Sequence, residues 1–129
     1  MSIPVEQHEL REALERYGTA AFLLTGGDDG RPHVSHVQVV WDGEALRVRD
    51  AGGRTRGNAV QRPKAALMWP PVESGGYSLI ADVGVVLDGA DAVLHVERAV
   101  LHRPAPARDA GEAARADGSC GHDCRPLGP

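Results

Sequence analysis

Apolar residues recur along this chain at two spacings, and the change from one to the other marks out its elements. In residues 4–17, Leu10, Ala13, Leu14 and Tyr17 fall three or four apart among Glu6, Glu9, Arg11, Glu12, Glu15 and Arg16. That spacing predicts an amphipathic helix, with Pro4 at its first position and Gly18 as its C-terminal cap. From residue 19 the period drops to two. Stretches rich in β-branched residues predict strands over residues 19–25, 33–41, 44–51, 64–69, 77–87 and 92–102. Asp42-Gly43 and Asp88-Gly89 read as tight hairpin turns. In the third strand Leu46 and Val48 alternate with Arg47 and Arg49, so one face is buried and the other polar. Gly84, inside the fifth strand, marks a bend. A short helix separates strands three and four and stops before Pro63.

The result is a mainly β fold: a six-stranded antiparallel barrel, closed or nearly closed, with an N-terminal helix and a short helix between strands three and four. Long parallel crossovers are absent, which argues against a Rossmann-type sheet. A length of 129 residues suits a single domain with a real core. That domain is expected over residues 1–104. From residue 105 the composition turns to Pro, Ala, Gly, Asp and Arg, and residues 105–129 are expected as an irregular tail.

A net charge of −4 argues against a general nucleic-acid binder, which needs a basic face. No apolar run reaches the ~20 residues of a membrane-spanning helix. The N-terminus does not read as a signal peptide, and two cysteines do not make a disulfide scaffold, so a cytoplasmic protein is expected. Aromatic residues are few: one Phe, two Tyr and two Trp. A lone barrel would seal poorly with so few, which points weakly to a dimer.

Candidate chemistry gathers at Arg54-Thr55-Arg56-Gly57-Asn58, after the loose Gly52-Gly53. A helix start offers free N–H groups and the positive end of the dipole, and arginine offers a planar fork that matches phosphate. The stretch reads as a phosphate cradle for a nucleotide-like cofactor, or as a solvated turn that carries two arginines. A second cluster, Cys120, His122 and Cys124, supplies three ligands for zinc or another thiophilic metal, but no fourth. A redox-active cysteine pair and an inert tail are the other readings. His33 and His36 fall on opposite faces of one strand and cannot chelate together. No spacing supports a hydrolytic triad.

The order of several motifs resembles the pyridoxamine 5'-phosphate oxidase-like family, the flavin-binding split β-barrels. The residues that carry the resemblance are Asp29-Gly30-Arg31-Pro32-His33-Val34-Ser35, Val40-Trp41-Asp42-Gly43, the basic turn with Arg62-Pro63, and Ala99-Val100-Leu101-His102-Arg103-Pro104. The resemblance spans about residues 5–104. It implies a homodimer with flavin mononucleotide (FMN) in grooves between subunits, a deazaflavin coenzyme replacing FMN in some relatives. Carried over, Arg54 and Thr55 would hold the phosphate, Arg56 would lie beside them and Asn58 would support the turn. Arg49 points to the same place. Ser35, His36, Val37 and Gln38 would follow the isoalloxazine edge, and Trp69 would join the ring pocket, from the same or the partner subunit.

The implied function is a flavin-dependent oxidoreductase acting on a small organic substrate, the chemistry belonging to the cofactor. A deazaflavin-dependent reductase and a non-enzymatic flavin-, haem- or metal-binding split barrel are the alternatives. The vitamin B6 oxidases of the family carry a basic C-terminal motif that Asp123-Cys124-Arg125-Pro126 does not match, so pyridoxal phosphate synthesis is not expected. The usual lysine of the phosphate turn is also absent.

Overall fold

The computed structural model describes residues 1–105 of the chain. Its elements run β1 (Ser2–Val5), α1 (Gln7–Tyr17), β2 (Ala20–Gly26), β3 (Pro32–Gln38), β4 (Val40–Asp42), β5 (Ala45–Val48), α2 (Gly53–Gln61), β6 (Lys64–Trp69), β7 (Ser78–Asp88) and β8 (Asp91–His102). All strand pairs are antiparallel, in the order β3-β2-β6-β7-β8-β5-β4, and β1 lies along the end of β8. The fold is therefore the expected curled antiparallel β-barrel with two helices, but it has eight strands where six were expected.

Both extra strands have a local cause. Pro4 does not start the helix; it sits in β1 opposite Val100, at a sheet edge where a missing N–H is tolerated. The helix begins at Gln7, where the Glu9 carboxylate accepts the Glu6 N–H at 2.8 Å. The expected strand over residues 33–41 is interrupted at Val39: its N–H still bonds the Thr19 carbonyl at 2.9 Å, in the β2–β3 register, while the next residue, Val40, pairs with Arg47 of β5. That break turns one long strand into β3 and β4, the two ends of the sheet.

The core follows from alternation. Leu23, Leu46, Leu67, Trp69, Leu79, Val83 and Leu94 point inward and are fully buried, together with Leu10 of α1. Burying each large side chain contributes about 1.5–3 kcal/mol. The helix α1 covers one end of the barrel. Arg11 donates to the Gly43 carbonyl and stacks over Trp41, and the Tyr17 hydroxyl donates to the Tyr77 carbonyl. The helix α2 covers the opposite end, where β2 finishes and β3 begins. Gly84 pairs with His95 of β8, just past an irregularity in register between Asp82 and Val83.

Candidate functional site

The free edges of the sheet are β3 and β4, and past the end of the short β4 a gap opens between β3 and β5. Strand β3 pairs only with β2, so its other edge carries main-chain groups with no sheet partner. A groove of about 420 Å³ opens there, lined by Ser35, His36, Val37 and Gln38 on one side and by Arg47, Arg49 and Asp50 on the other. The structure thus brings together Ser35, Val37, Gln38 and Arg49. The ring of His36 lies differently: it stacks on Phe22 with centroids 4.9 Å apart, on the outer face of the sheet.

The basic turn forms α2, entered through Gly52 at φ 89°, a left-handed conformation that suits glycine. Helical geometry then separates residues that are adjacent in sequence. Arg54 is exposed and lines a second cavity of about 730 Å³ with Arg31, His33, Gly57, Asn58 and Gln61. Thr55 turns inward, 2% exposed, with its hydroxyl 3.4 Å from Ser35 Oγ. Arg56 turns to Asp50, at 3.7 Å. Asn58 is buried and donates from Nδ2 to the Thr25 hydroxyl at 3.1 Å, which fixes α2 to β2.

Two expectations change here. The Thr55 hydroxyl is enclosed between α2 and β3 and is not presented to a ligand. Trp69 is 0% exposed, and its indole N–H donates to the Gly18 carbonyl at 3.1 Å, so it is a core residue at the α1 end and not a wall of the groove.

The corner between β5 and α2 is held by charge. Arg47 lies among Asp42, Asp91 and Asp88 at 2.8, 2.9 and 3.1 Å. These carboxylates, Asp42 foremost, hold its guanidinium in the charged form. Asp91 Oδ1 accepts the Asp50 N–H at 2.9 Å, and this bond, followed by Arg47, holds the Asp91 carboxyl below its ordinary range. Asp50 itself has φ 50°, a position that few non-glycine residues adopt. Among the described residues Arg31, Arg49 and Arg54 have no ion-pair partner, so three guanidiniums near the split are available to an anion.

Sequence reasoning included Gly57 in the basic turn without giving it a role, and it did not single out Gln61. Their signal was the helical period that places residues 54, 57, 58 and 61 on one face. Cys120, His122 and Cys124 lie outside the described residues. Among the described residues no group of three or more His, Cys, Asp or Glu side chains is placed to hold a metal ion, and no helix is long and apolar enough to cross a membrane.

No protein-family model matches the chain. It is 37% identical to the uncharacterized proteins Mb0449c of Mycobacterium bovis and MT0457 of Mycobacterium tuberculosis, the match covering 93% of this chain and 92% of each relative. Among solved structures it resembles an FAD binding protein from Mycobacterium smegmatis, at TM-score 0.59 and 14% identity over 80% of this chain and all of the other. A Clostridium acetobutylicum protein of the pyridoxinephosphate oxidase family gives TM-score 0.56 and 12% identity, covering 77% of this chain and 91% of the other. An F420 reductase gives TM-score 0.52 and 18% identity, covering 67% and 91%. The chain belongs to the family of the two mycobacterial proteins and has the split-barrel fold of the pyridoxamine 5'-phosphate oxidase-like proteins.

Proposed function

We propose that the chain is an oxidoreductase that uses a flavin-type cofactor, FMN in the first place, bound in the groove between β3 and β5. One observation carries this reading: the unpaired edge of β3 and the free guanidinium of Arg49 line the same groove, with Arg54 one helix face away. A flat heteroaromatic ring with alternating donors and acceptors fits a strand edge, whose amides and carbonyls alternate in the same way. A phosphate fits the arginines. The volume lies within the range of small-molecule sites.

Ser35, Val37 and Gln38 then orient the ring through their main chain, and Arg49 and Arg54 hold the anionic end. Asn58 and Thr55 act beneath them by fixing α2 to the barrel. Bound in this way, the cofactor supplies two-electron transfer to a small organic substrate. A deazaflavin coenzyme in the same groove is the second reading, favoured by the fold shared with an F420 reductase and by the basic Arg31 beyond Arg54.

The functional unit is a homodimer. One register row on the outer face reads His36, Phe22, Met68, Ile80, Val100 and Pro4 across six strands. Five of the six positions are apolar, and none is fully buried in the single chain. A second copy of the chain is the partner that such a face fits.

The test is a fluorescence titration of cofactor-free protein with FMN, FAD and the deazaflavin coenzyme, alongside Arg54→Ala and Arg49→Ala. Micromolar binding of one cofactor, weakened at least tenfold by either substitution, is expected. No binding of any of the three would sink the reading.

A further inference from the structure

We propose that the outer face of the sheet is an acid-sensitive self-association surface, and that His36 is the group that weakens the pairing of two copies when it takes up a proton. The inference rests on the dimer reading above and adds its regulation. It does not depend on which cofactor the groove holds.

His36 ends the apolar register row that runs through Phe22, Met68, Ile80, Val100 and Pro4. Its ring is exposed and stacks on Phe22, with centroids 4.9 Å apart and planes inclined by 22°. Its other neighbours on this face are Val34 and Gln38 of β3, Ala20 and Leu24 of β2, and, beyond Phe22, Met68 of β6. None of them carries a charge. His36 is therefore the titratable group at that end of the row.

The charged groups of the face lie farther along it, and they are engaged. Lys64 of β6 pairs with Glu97 of β8 at 2.8 Å, and Asp82 of β7 pairs with Arg98 of β8 at 3.7 Å. His95 and His102 of β8 are exposed on the same side, and His102 Nδ1 lies 3.1 Å from Ser2 Oγ. Among the described residues, two cations thus balance two carboxylates on this face, and no carboxylate is left over to receive an imidazolium. A neutral, self-paired face meets a copy of itself without net repulsion, which suits an isologous pair.

The two protonation states of His36 fare differently on such a face. In a single chain the protonated ring keeps its water, and its charge rests favourably on Phe22. Under a second copy it loses that water, and burying a charge without a partner costs more than the aromatic contact returns. The neutral ring is covered as one more member of the row. Two-fold symmetry places both copies of His36 in the same interface, so acid acts twice. An ordinary imidazole titrates near about pH 6.5, so dissociation takes up protons below that value and association is strongest above about pH 7.5. Strand β3 also lines the groove through Ser35 and Val37, so loss of the second copy uncovers the outer side of that strand.

The experiment is sedimentation equilibrium of the full chain, with circular dichroism of the same samples to report folding. The expected dissociation constant rises about 100-fold from about pH 7.5 to about pH 5.5, tenfold for each His36, at constant circular dichroism. His36→Leu keeps an apolar group in the row and should change by no more than about threefold over that range. His36→Gln, neutral and polar, gives the same reading if the leucine variant does not fold. His95→Gln and His102→Gln should respond to acid as the parent does. A parent dimer of equal affinity at both pH values would overturn the inference and leave the dimer reading intact. So would a dimer that tightens in acid, an acid response that survives in both His36 variants, or dissociation that follows a loss of circular dichroism. A parent that is monomeric at about pH 7.5 would overturn this inference and the dimer reading together.

Discussion

Asn58 of α2 donates its side-chain N–H to the hydroxyl of Thr25 on β2, and both residues are buried. The bond is what holds a helix with few apolar residues against the end of the barrel. Asn58→Ala removes the donor and leaves a buried hydroxyl short of a partner, at a cost of about 1–3 kcal/mol. Urea unfolding should show that loss, and pairing Asn58→Ala with Thr25→Val should show less than the sum of the two single effects.

Arg54 and Thr55 are neighbours in sequence with opposite exposures, so they separate binding from folding. Arg54→Ala should leave unfolding within about 0.5 kcal/mol of the parent and weaken FMN binding by about 10–100-fold, the loss of a charge-assisted bond of about 1.5–3 kcal/mol. Thr55→Val keeps the shape of an enclosed side chain and should leave FMN affinity unchanged. Trp69→Phe, which removes the bond to Gly18, should lower stability by about 1 kcal/mol and also leave FMN affinity unchanged. Fluorescence titration and denaturant unfolding of the three variants read both quantities.

The pH response of the β5–α2 corner is set by Asp91. Its carboxyl is held below the ordinary range, chiefly by the Asp50 N–H and then by Arg47. A group with a depressed folded value favours the folded state above its unfolded pKa, about 3.9 for aspartate. That contribution fades as pH falls below about 4, through the folded value. Melting temperature should therefore drop faster below about pH 4 in the parent than in Asp91→Asn, and the two should run parallel from pH 5 to 8.

Two glycines predict opposite outcomes for the same substitution. Gly57→Ala, in open space within a helix, should stabilise the fold by about 0.5–1 kcal/mol. Gly27→Ala drives a methyl group against the Arg31 carbonyl and should destabilise it by about 1–3 kcal/mol. Thermal melts of the two variants check both signs.

If the outer face holds a second copy, Ile80→Asp should convert the protein to a monomer in sedimentation or light scattering. A monomeric parent would remove the dimer from the proposed function.

Much of the fold could be read from the chain because alternation survives in it. Leu46 and Val48 point inward against Arg47 and Arg49 outward, and each hairpin announces itself by its turn residues. The two missed boundaries lack such a signal. Val37, Val39 and Trp41 continue the alternation through the break at Val39, where the chain passes from pairing with β2 to pairing with β5. Pro4 suits a helix start as well as an edge strand, and only β8 decides between them. At the site, the basic turn was found as a cluster, but its division into faces was not. A buried Asn58 is legible only once Thr25 is beside it, and Trp69 reads as a pocket wall until Gly18 is seen to hold its indole.

The two free edges of the sheet are one continuous piece of chain, joined at a buried Val39 that is 2% exposed. The opening between β3 and β5 therefore behaves like a calliper with a locked pivot. Its jaws share that pivot, so the packing that buries Val39 limits how far they can part. Such a slot sorts its occupants by thickness first and by hydrogen bonding second. A flat aromatic ring suits such a slot better than a puckered or bulky group.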